Sequence, residues 1–270
     1  MDFRTMIRRW VPRPVLGAAR NLWLWTAQLL ERRLGQADRD PYLPPVSLRC
    51  RVHGSTSIKS FLEVGRRCAE DLRVALGRQS RDIYSFGRIL DFGCGCGRAI
   101  RWFADHPESS QFYGTDIDAD AITWCRKNMG FATFSVNDMI PPMRCDSGSF
   151  DLIYAISVFT HLDEDLQFQW LAELKRVARP NCLLLVSIQG QFCWSKLSAG
   201  KIAQIQEQGI VFDESGSVWQ GIFPESYTTA YHTKEYVCSR WSQHFKVVDY
   251  VEKGMNNHQD LVVLRNVQSA

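Results

Sequence analysis

The stretch "ILDFGCGCGR", Ile89–Arg98, runs a short apolar segment straight into three glycines at alternate positions, with an aspartate two residues before the first. Such a turn lets backbone pass where a Cβ would collide, and it belongs at the end of a strand. Three chemistries compete for it. A zinc site is disfavoured because Cys94 and Cys96 form C-x-C with no partner pair at ligand distance, so no metal is expected. A nicotinamide loop, G-x-G-x-x-G, would need glycine at position 98, which is Arg98; a P-loop would need Lys-Ser/Thr, which is missing. What remains is D-x-G-x-G-x-G. Asp91 would repel a pyrophosphate and suits a cationic ligand, such as a nucleoside with an amino-acid tail and a sulfonium.

Downstream, short apolar runs alternate with helical spacing, the mark of βαβ units. Strands are expected at Arg88–Phe92, Gln111–Asp116, Ala132–Val136, Phe150–Ala155 and Cys182–Ile188. Helices are expected near Arg98–Asp105, Ala119–Asn128 and Glu164–Ala178. A long interruption, Gln189–His232, holds a helical piece at Ser198–Gln208 and a hairpin-like "GIVFDESGSVWQGIF". The chain closes with a helix, Lys234–His244, and strands Lys246–Glu252 and Asp260–Arg265. Their connector is too short for a crossover, so they form an antiparallel hairpin. The expected class is α/β: a doubly wound seven-stranded sheet, mostly parallel with an antiparallel last strand. To it are added an N-terminal helical extension (1–80) and a lid insertion (189–232) within a Rossmann-like domain (81–270).

The formal charge of +3 is too small to argue for nucleic acid, but its distribution is uneven. Residues 1–60 carry eleven Lys/Arg against four Asp/Glu, and the rest of the chain is acidic. There the spacing predicts an amphipathic basic helix, about Val15–Leu34, with Leu16, Ala19, Leu22, Trp23, Ala27 and Leu30 near one face. It either caps the main domain, pairs with a second copy, or lies on a membrane through Trp23, Trp25 and its arginines. A second helix follows over about 57–76. The run Leu22–Leu30 is about half the length of a membrane span. Nine cysteines at irregular spacing point to reduced thiols, and no secretory pattern is evident. The expected location is the cytoplasm, peripheral to a membrane if the helix binds one.

At this point the sequence resembles the class I S-adenosylmethionine-dependent methyltransferases, over about Gly87–Arg265 and with several elements in order. The resemblance implies S-adenosyl-L-methionine as cofactor. "ILDFGCGCGR" resembles the first motif, with Asp91, Phe92, Gly93, Cys94, Gly95 and Gly97 at the methionine end. "FYGTDID" resembles the second: Asp116 would hold both ribose hydroxyls and Ile117 would lie against adenine, with Asp118 left to cap the next helix. "VNDMIPP" resembles the third, with Asp138 on the adenine amino group beside Asn137 and Met139. In "FDLIYAISVFTHL", Ala155, Ile156 and Ser157 would run beneath the methionine moiety and His161 would stand near the reacting methyl.

Methyl transfer to a hydroxyl also needs a proton acceptor, and histidine is suited to it. Topology brings His161, His232 and His258 to the functional rim. His161 is the expected base or orienting residue, with His232 and His258 binding the acceptor and Tyr231, Asn256 and Asn257 as secondary contacts. Each also has a plainer reading: His161 as helix cap, His232 as the residue preceding a cap, His258 as a solvated hairpin tip. No "NPPY" or "DPPY" follows the fourth strand, and no basic aromatic patch marks an RNA substrate. Lid aromatics Phe192, Trp194, Trp219, Phe223, Tyr227 and Tyr231 suit a small-molecule ring. The expectation is an enzyme that O-methylates a sugar, glycan or secondary metabolite. The alternatives are a non-catalytic cofactor-binding module and a methyltransferase acting on a protein or membrane-linked glycan.

Overall fold

The computed structural model describes residues 13–33, 40–213 and 228–267. The chain divides into two compact units, 1–61 and 62–270. This differs from the expected extension of 1–80, because most of the second helix goes with the sheet.

The first unit holds α1 (Arg13–Arg33) and α2 (Val46–His53). They are joined by polar contacts. Gln28 Oε1 accepts the N–H of Val46 at 2.9 Å, and Arg49 forms a buried ion pair with Glu31. Gly54 ends α2 in the left-handed conformation, φ +72°, that a side chain would resist. Leu22, Trp23 and Leu30, read from the sequence as near one face of this helix, are exposed. Side chains of Leu16 and Ala19 lie outside the described residues.

The second unit takes in most of α3 (Ile58–Gly77), followed by β1 (Arg88–Phe92), β2 (Gln111–Asp116), α4 (Ala119–Asn128), β3 (Ala132–Val136), β4 (Phe150–Ala155), α5 (Glu164–Val177) and β5 (Ala178–Ile188). The sheet order is β3-β2-β1-β4-β5-β9-β8, where β8 is Lys246–Met255 and β9 is Gln259–Arg265. The first five strands pair in parallel, and β9 enters antiparallel between β5 and β8. Buried on both faces beyond Asp151, β4 reads as an apolar run from Leu152 to Ala155, as a central parallel strand should. Trp170 and Leu171 of α5 pack on Phe92, Ile153 and Leu184 as part of one core. Asp118 and Asp163 cap α4 and α5 with their carboxylates, which supply acceptors for first-turn N–H groups.

Several elements differ from expectation. The helix after the glycine turn shortens to a 3-10 turn, Ile100–Phe103. Its start is crowded: α3 crosses so closely that a Cβ on Gly65 would stand 2.3 Å from the Arg98 carbonyl oxygen. β5 begins at Ala178, four residues early, where it pairs with Phe150 across an irregularity. The helix after the lid ends at Arg240 as α7 (Lys234–Arg240) and continues as a 3-10 turn. In the lid, α6 (Ala199–Gln208) precedes β6 (Ile210–Asp213). β6 pairs with β7 (Thr229–His232), and not with the near segment of the expected hairpin. Residues 214–227, with Trp219, Phe223 and Tyr227, lie outside the described residues.

Candidate active site

Two turns meet at the C-terminal edge of the sheet. Gly93 (φ +79°) follows β1, and a Cβ there would fall 2.2 Å from Val158 Cγ2. The glycine thus answers first to the protein's own β4 turn and only then to a ligand. That turn is tightly held: Ser157 (φ +60°) donates its N–H to Ser187 Oγ at 2.7 Å, and its hydroxyl reaches Gln259 Oε1 at 3.0 Å. Ser187 and Gln259 escaped the sequence reading. They lie on β5 and β9, and only the register of those strands brings them to Ser157. Cys94 and Cys96 are buried thiols, and among the described residues no group of three side chains could hold a metal.

Asp91 is 2% exposed, and its Oδ2 has no hydrogen-bond partner. The Tyr154 hydroxyl approaches without completing a well-formed hydrogen bond. Burial, reinforced by the charge of Asp116, pushes the Asp91 carboxyl up to about 8; Tyr154 and Arg98 offset only part of this. Asp116 binds the glycine turn directly. Its Oδ2 accepts Gly95 N–H at 2.7 Å and its Oδ1 accepts Asp118 N–H at 2.8 Å, while burial raises its pKa. A carboxylate offers roughly four lone-pair sites, so capacity for two ribose hydroxyls remains. Beside it Ile117, Met139 and Ile140 are exposed apolar side chains, and Asn137 Oδ1 is buried without a partner. An unpaired buried acid, a carboxylate with spare acceptors and an open apolar shelf fit a cationic nucleoside cofactor. Asp138 stands exposed on the same loop, and Ala155 and Ile156 form the buried floor.

His161 is half-buried on the β4 turn. Its Nδ1 lies 3.0 Å from the Thr228 carbonyl oxygen, which can only accept. The proton therefore sits on Nδ1 and the lone pair on Nε2. Burial lowers the pKa to about 4, so the ring is neutral at physiological pH. His161 is not the cap of α5; Asp163 is.

His232 is corrected. It is fully buried, between Tyr236 and Trp241, and its Nε2 pairs with Gln167 Oε1 at 3.0 Å. Burial drops its pKa to about 3. Gln167 in turn donates to the carbonyls of Phe159 and Leu162, on either side of His161. His232 thus supports the β4 turn from beneath and is closed off from the surface.

Tyr231 is corrected likewise: it is 4% exposed within a small lid core of Cys193, Leu197, Ile205 and Val211. Asn256 turns toward α3, with its amide on Cys68 Sγ at 2.9 Å and its backbone N–H on Asp71 Oδ2 at 2.7 Å. It anchors the β8–β9 hairpin. Asn257 beside it is exposed. His258 is half-buried, not a solvated tip. Its Nε2 lies 3.7 Å from Cys193 Sγ, and its ring meets the exposed Phe192 edge to face.

The family described as a methyltransferase domain matches residues 89–181, the span from β1 into β5 that holds the glycine turn, Asp116 and the β4 turn. The chain thus carries a methyltransferase domain over these residues. Solved structures share the fold. A protein of Pyrococcus horikoshii OT3 is 19% identical with a TM-score of 0.54, covering 74% of this chain and 90% of that one. The 1,6-didemethyltoxoflavin-N1-methyltransferase of Burkholderia thailandensis is 15% identical (TM-score 0.54; 82% and 88% covered). The magnesium protoporphyrin IX methyltransferase of Synechocystis PCC 6803 is 14% identical (TM-score 0.53; 80% and 92% covered). The last two were crystallised with S-adenosylhomocysteine. The orphaned Asp91, the spare acceptors of Asp116 and the apolar shelf fit S-adenosylmethionine as the cofactor.

Proposed function

We propose that this methyltransferase acts on a small molecule and methylates a hydroxyl of a sugar, glycan or secondary metabolite, with His161 receiving the acceptor's proton. The observation that carries this reading is the fixing of His161 on the β4 turn, where its Nδ1–H bonds the Thr228 carbonyl and burial keeps the ring neutral. The two relatives named above for toxoflavin and protoporphyrin substrates support a small acceptor.

When bound, S-adenosylmethionine supplies a methyl carbon activated by its sulfonium, which leaves the protein mainly a positioning task. Asp91 neutralises positive charge at the methionine end. Asp116 takes the ribose hydroxyls, Ile117 and Met139 flank the adenine, and Asn137 and Asp138 accept from its amino group. Ala155, Ile156 and Ser157 floor the methionine. Bound there, the cofactor would supply the methyl group to an acceptor oxygen, and His161 would orient the acceptor hydroxyl and take its proton. A base with a pKa of about 4 does not ionise an alcohol beforehand; it orients the hydroxyl and takes the proton as the new bond forms. Asn257 and His258 contact the acceptor's far side.

The test is methyl transfer from labelled cofactor to a panel of hydroxylated sugars and phenols. Turnover that is lost in His161→Ala, with cofactor affinity kept, is the expected outcome. Transfer to amines alone, or turnover indifferent to His161, contradicts the reading.

A further inference from the structure

β1 and β4 pair in parallel with Asp91 directly beside Tyr154. Side chains alternate along each strand, and neighbouring strands lie about 4.8 Å apart, so the two share one face of the sheet. Their flanking residues agree: Leu90, Phe92, Ile153 and Ala155 all enter the main core on the opposite face. Tyr154 is completely buried, its ring tilted against Phe103 with centroids 6.3 Å apart. Phenylalanine would fill this place equally well and bring no polar atom to desolvate. Instead the phenol oxygen is buried without a hydrogen-bond partner, as is Asp91 Oδ2 beside it. Two adjacent buried groups of this kind, one a donor and one an acceptor, call for each other.

The other titratable groups facing Asp91 are Arg98 and Cys94 of the glycine turn, Asp116 on β2, Cys125 on α4 and Cys68 on α3. Arg98 favours the ionised carboxyl and Asp116 disfavours it. Burial pushes all three thiols up. It pushes the Tyr154 phenol well up too, and the charge of Asp91 adds to this. Cys68 Sγ is already taken by the Asn256 amide. Tyr154 is thus a neutral donor wherever Asp91 titrates. A hydrogen bond to a carboxylate is roughly twice as strong as one to a neutral carboxyl, so a donor placed here favours the ionised acid.

We propose that Tyr154 is a positioning residue for the cofactor: its hydroxyl turns fully onto the Asp91 carboxylate as the cationic methionine end arrives and the carboxyl proton is released to buffer. Tyr154 acts through Asp91 and touches no cofactor atom. The inference rests on Asp91 as the seat of the methionine end.

Calorimetric titration of Tyr154→Phe with S-adenosylhomocysteine, at about pH 7 and about pH 9.5, tests it. At the lower pH affinity should fall roughly tenfold, because Asp91, already raised to about 8 by burial, becomes harder to ionise. At the higher pH Asp91 is largely ionised in both proteins, and their affinities should agree within about twofold. A merely structural defect would weaken binding equally at both. The ligand's own amine titrates alike in the two experiments and cancels in the ratio. In an Asp91→Asn background, adding Tyr154→Phe should change affinity by less than about twofold. Carbon-13 NMR of the aspartate-labelled free protein gives a readout without ligand. The Asp91 carboxyl signal, identified by its loss in Asp91→Asn, should titrate about 1 pH unit higher in Tyr154→Phe. Equal affinity at pH 7, an equal loss at both pH values, or an unmoved Asp91 midpoint overturns the proposal. A wild type that binds no S-adenosylhomocysteine overturns the cofactor reading and the proposal with it, while the carbon-13 midpoint still shows whether Tyr154 holds Asp91.

Discussion

The β1–β3 side of the sheet edge and the β5–β9 side differ in where their buried polar groups find partners, although Asn256 Oδ1 on the β8–β9 hairpin is also buried without one. On the first, Asp91 Oδ2 and Asn137 Oδ1 are buried without partners, while Ile117, Met139 and Ile140 are left open. On the second, Ser157 reaches Ser187 and Gln259, and Tyr250 donates to Asp260 at 2.7 Å. An unpaired buried polar atom costs about 1–3 kcal/mol, a cost that a ligand pairing with Asp91 and Asn137 would offset. The paired side is scaffold. His161 stands where the two meet.

The sharpest way to break this division is His161→Ala. Losing a positioned proton acceptor should lower kcat by roughly 10²–10⁴-fold, while S-adenosylhomocysteine affinity stays within about twofold. Steady-state kinetics beside calorimetry separate the two. A matching collapse of cofactor binding would make His161 part of the scaffold.

Gly93→Ala comes next. Its positive φ and the 2.2 Å approach to Val158 forbid a side chain. Left-handed backbone costs a non-glycine residue about 1–2 kcal/mol, and displacing the β4 turn adds to it. Cofactor affinity should fall by about 100-fold, or about 2.7 kcal/mol. Adding Val158→Ala should recover the clash but not the backbone strain.

His232→Leu probes the scaffold. It leaves Gln167 Oε1 without its donor and should cost about 1–3 kcal/mol in urea melts at neutral pH. The pH dependence carries a sign. With its pKa lowered from 6.5 to about 3, folded His232 holds fewer protons than the unfolded chain between those values. Stability therefore rises with pH across that window and is lost as pH falls through it. The variant should show a shallower acid arm; His161, lowered to about 4, retains part of the slope. The smallest effect belongs to Asn256→Ala, which gives up the contact with Cys68. A loss of about 0.5–1.5 kcal/mol, seen as a modest drop in Tm, is expected.

Much of the parallel half was legible because its strands are short apolar runs bounded by turn residues. β1, β2, β3 and β4 begin and end where the pattern does. β5 was not: "ARPN" carries no apolar signal, and Ala178 joins the strand only through Phe150. The glycine turn was legible as a cofactor cradle, but not that Gly93 yields to Val158. An isolated glycine inside the helical pattern of α3, Gly65, was the available signal that the helix crosses close to backbone. Tyr231 and His232 show where topology stops helping. Sheet order places both at the functional edge, but β7 is buried on both faces, so Tyr231 enters the lid core and His232 the main one. Which way a side chain points from a doubly buried strand is decided by packing partners far along the chain.

The most direct test is calorimetric titration of the full chain with S-adenosylmethionine and S-adenosylhomocysteine at pH 7, repeated on Asp91→Asn in buffers of different ionisation enthalpy. Asp91, held near 8 by burial, should ionise as the cationic methionine end arrives. The wild type should bind with release of part of a proton, and Asp91→Asn should bind at least roughly tenfold more weakly and release none. No binding of either compound by the wild type, or equal affinity and equal proton release in the variant, would contradict the assignment of the glycine turn and Asp91 as the cofactor's seat.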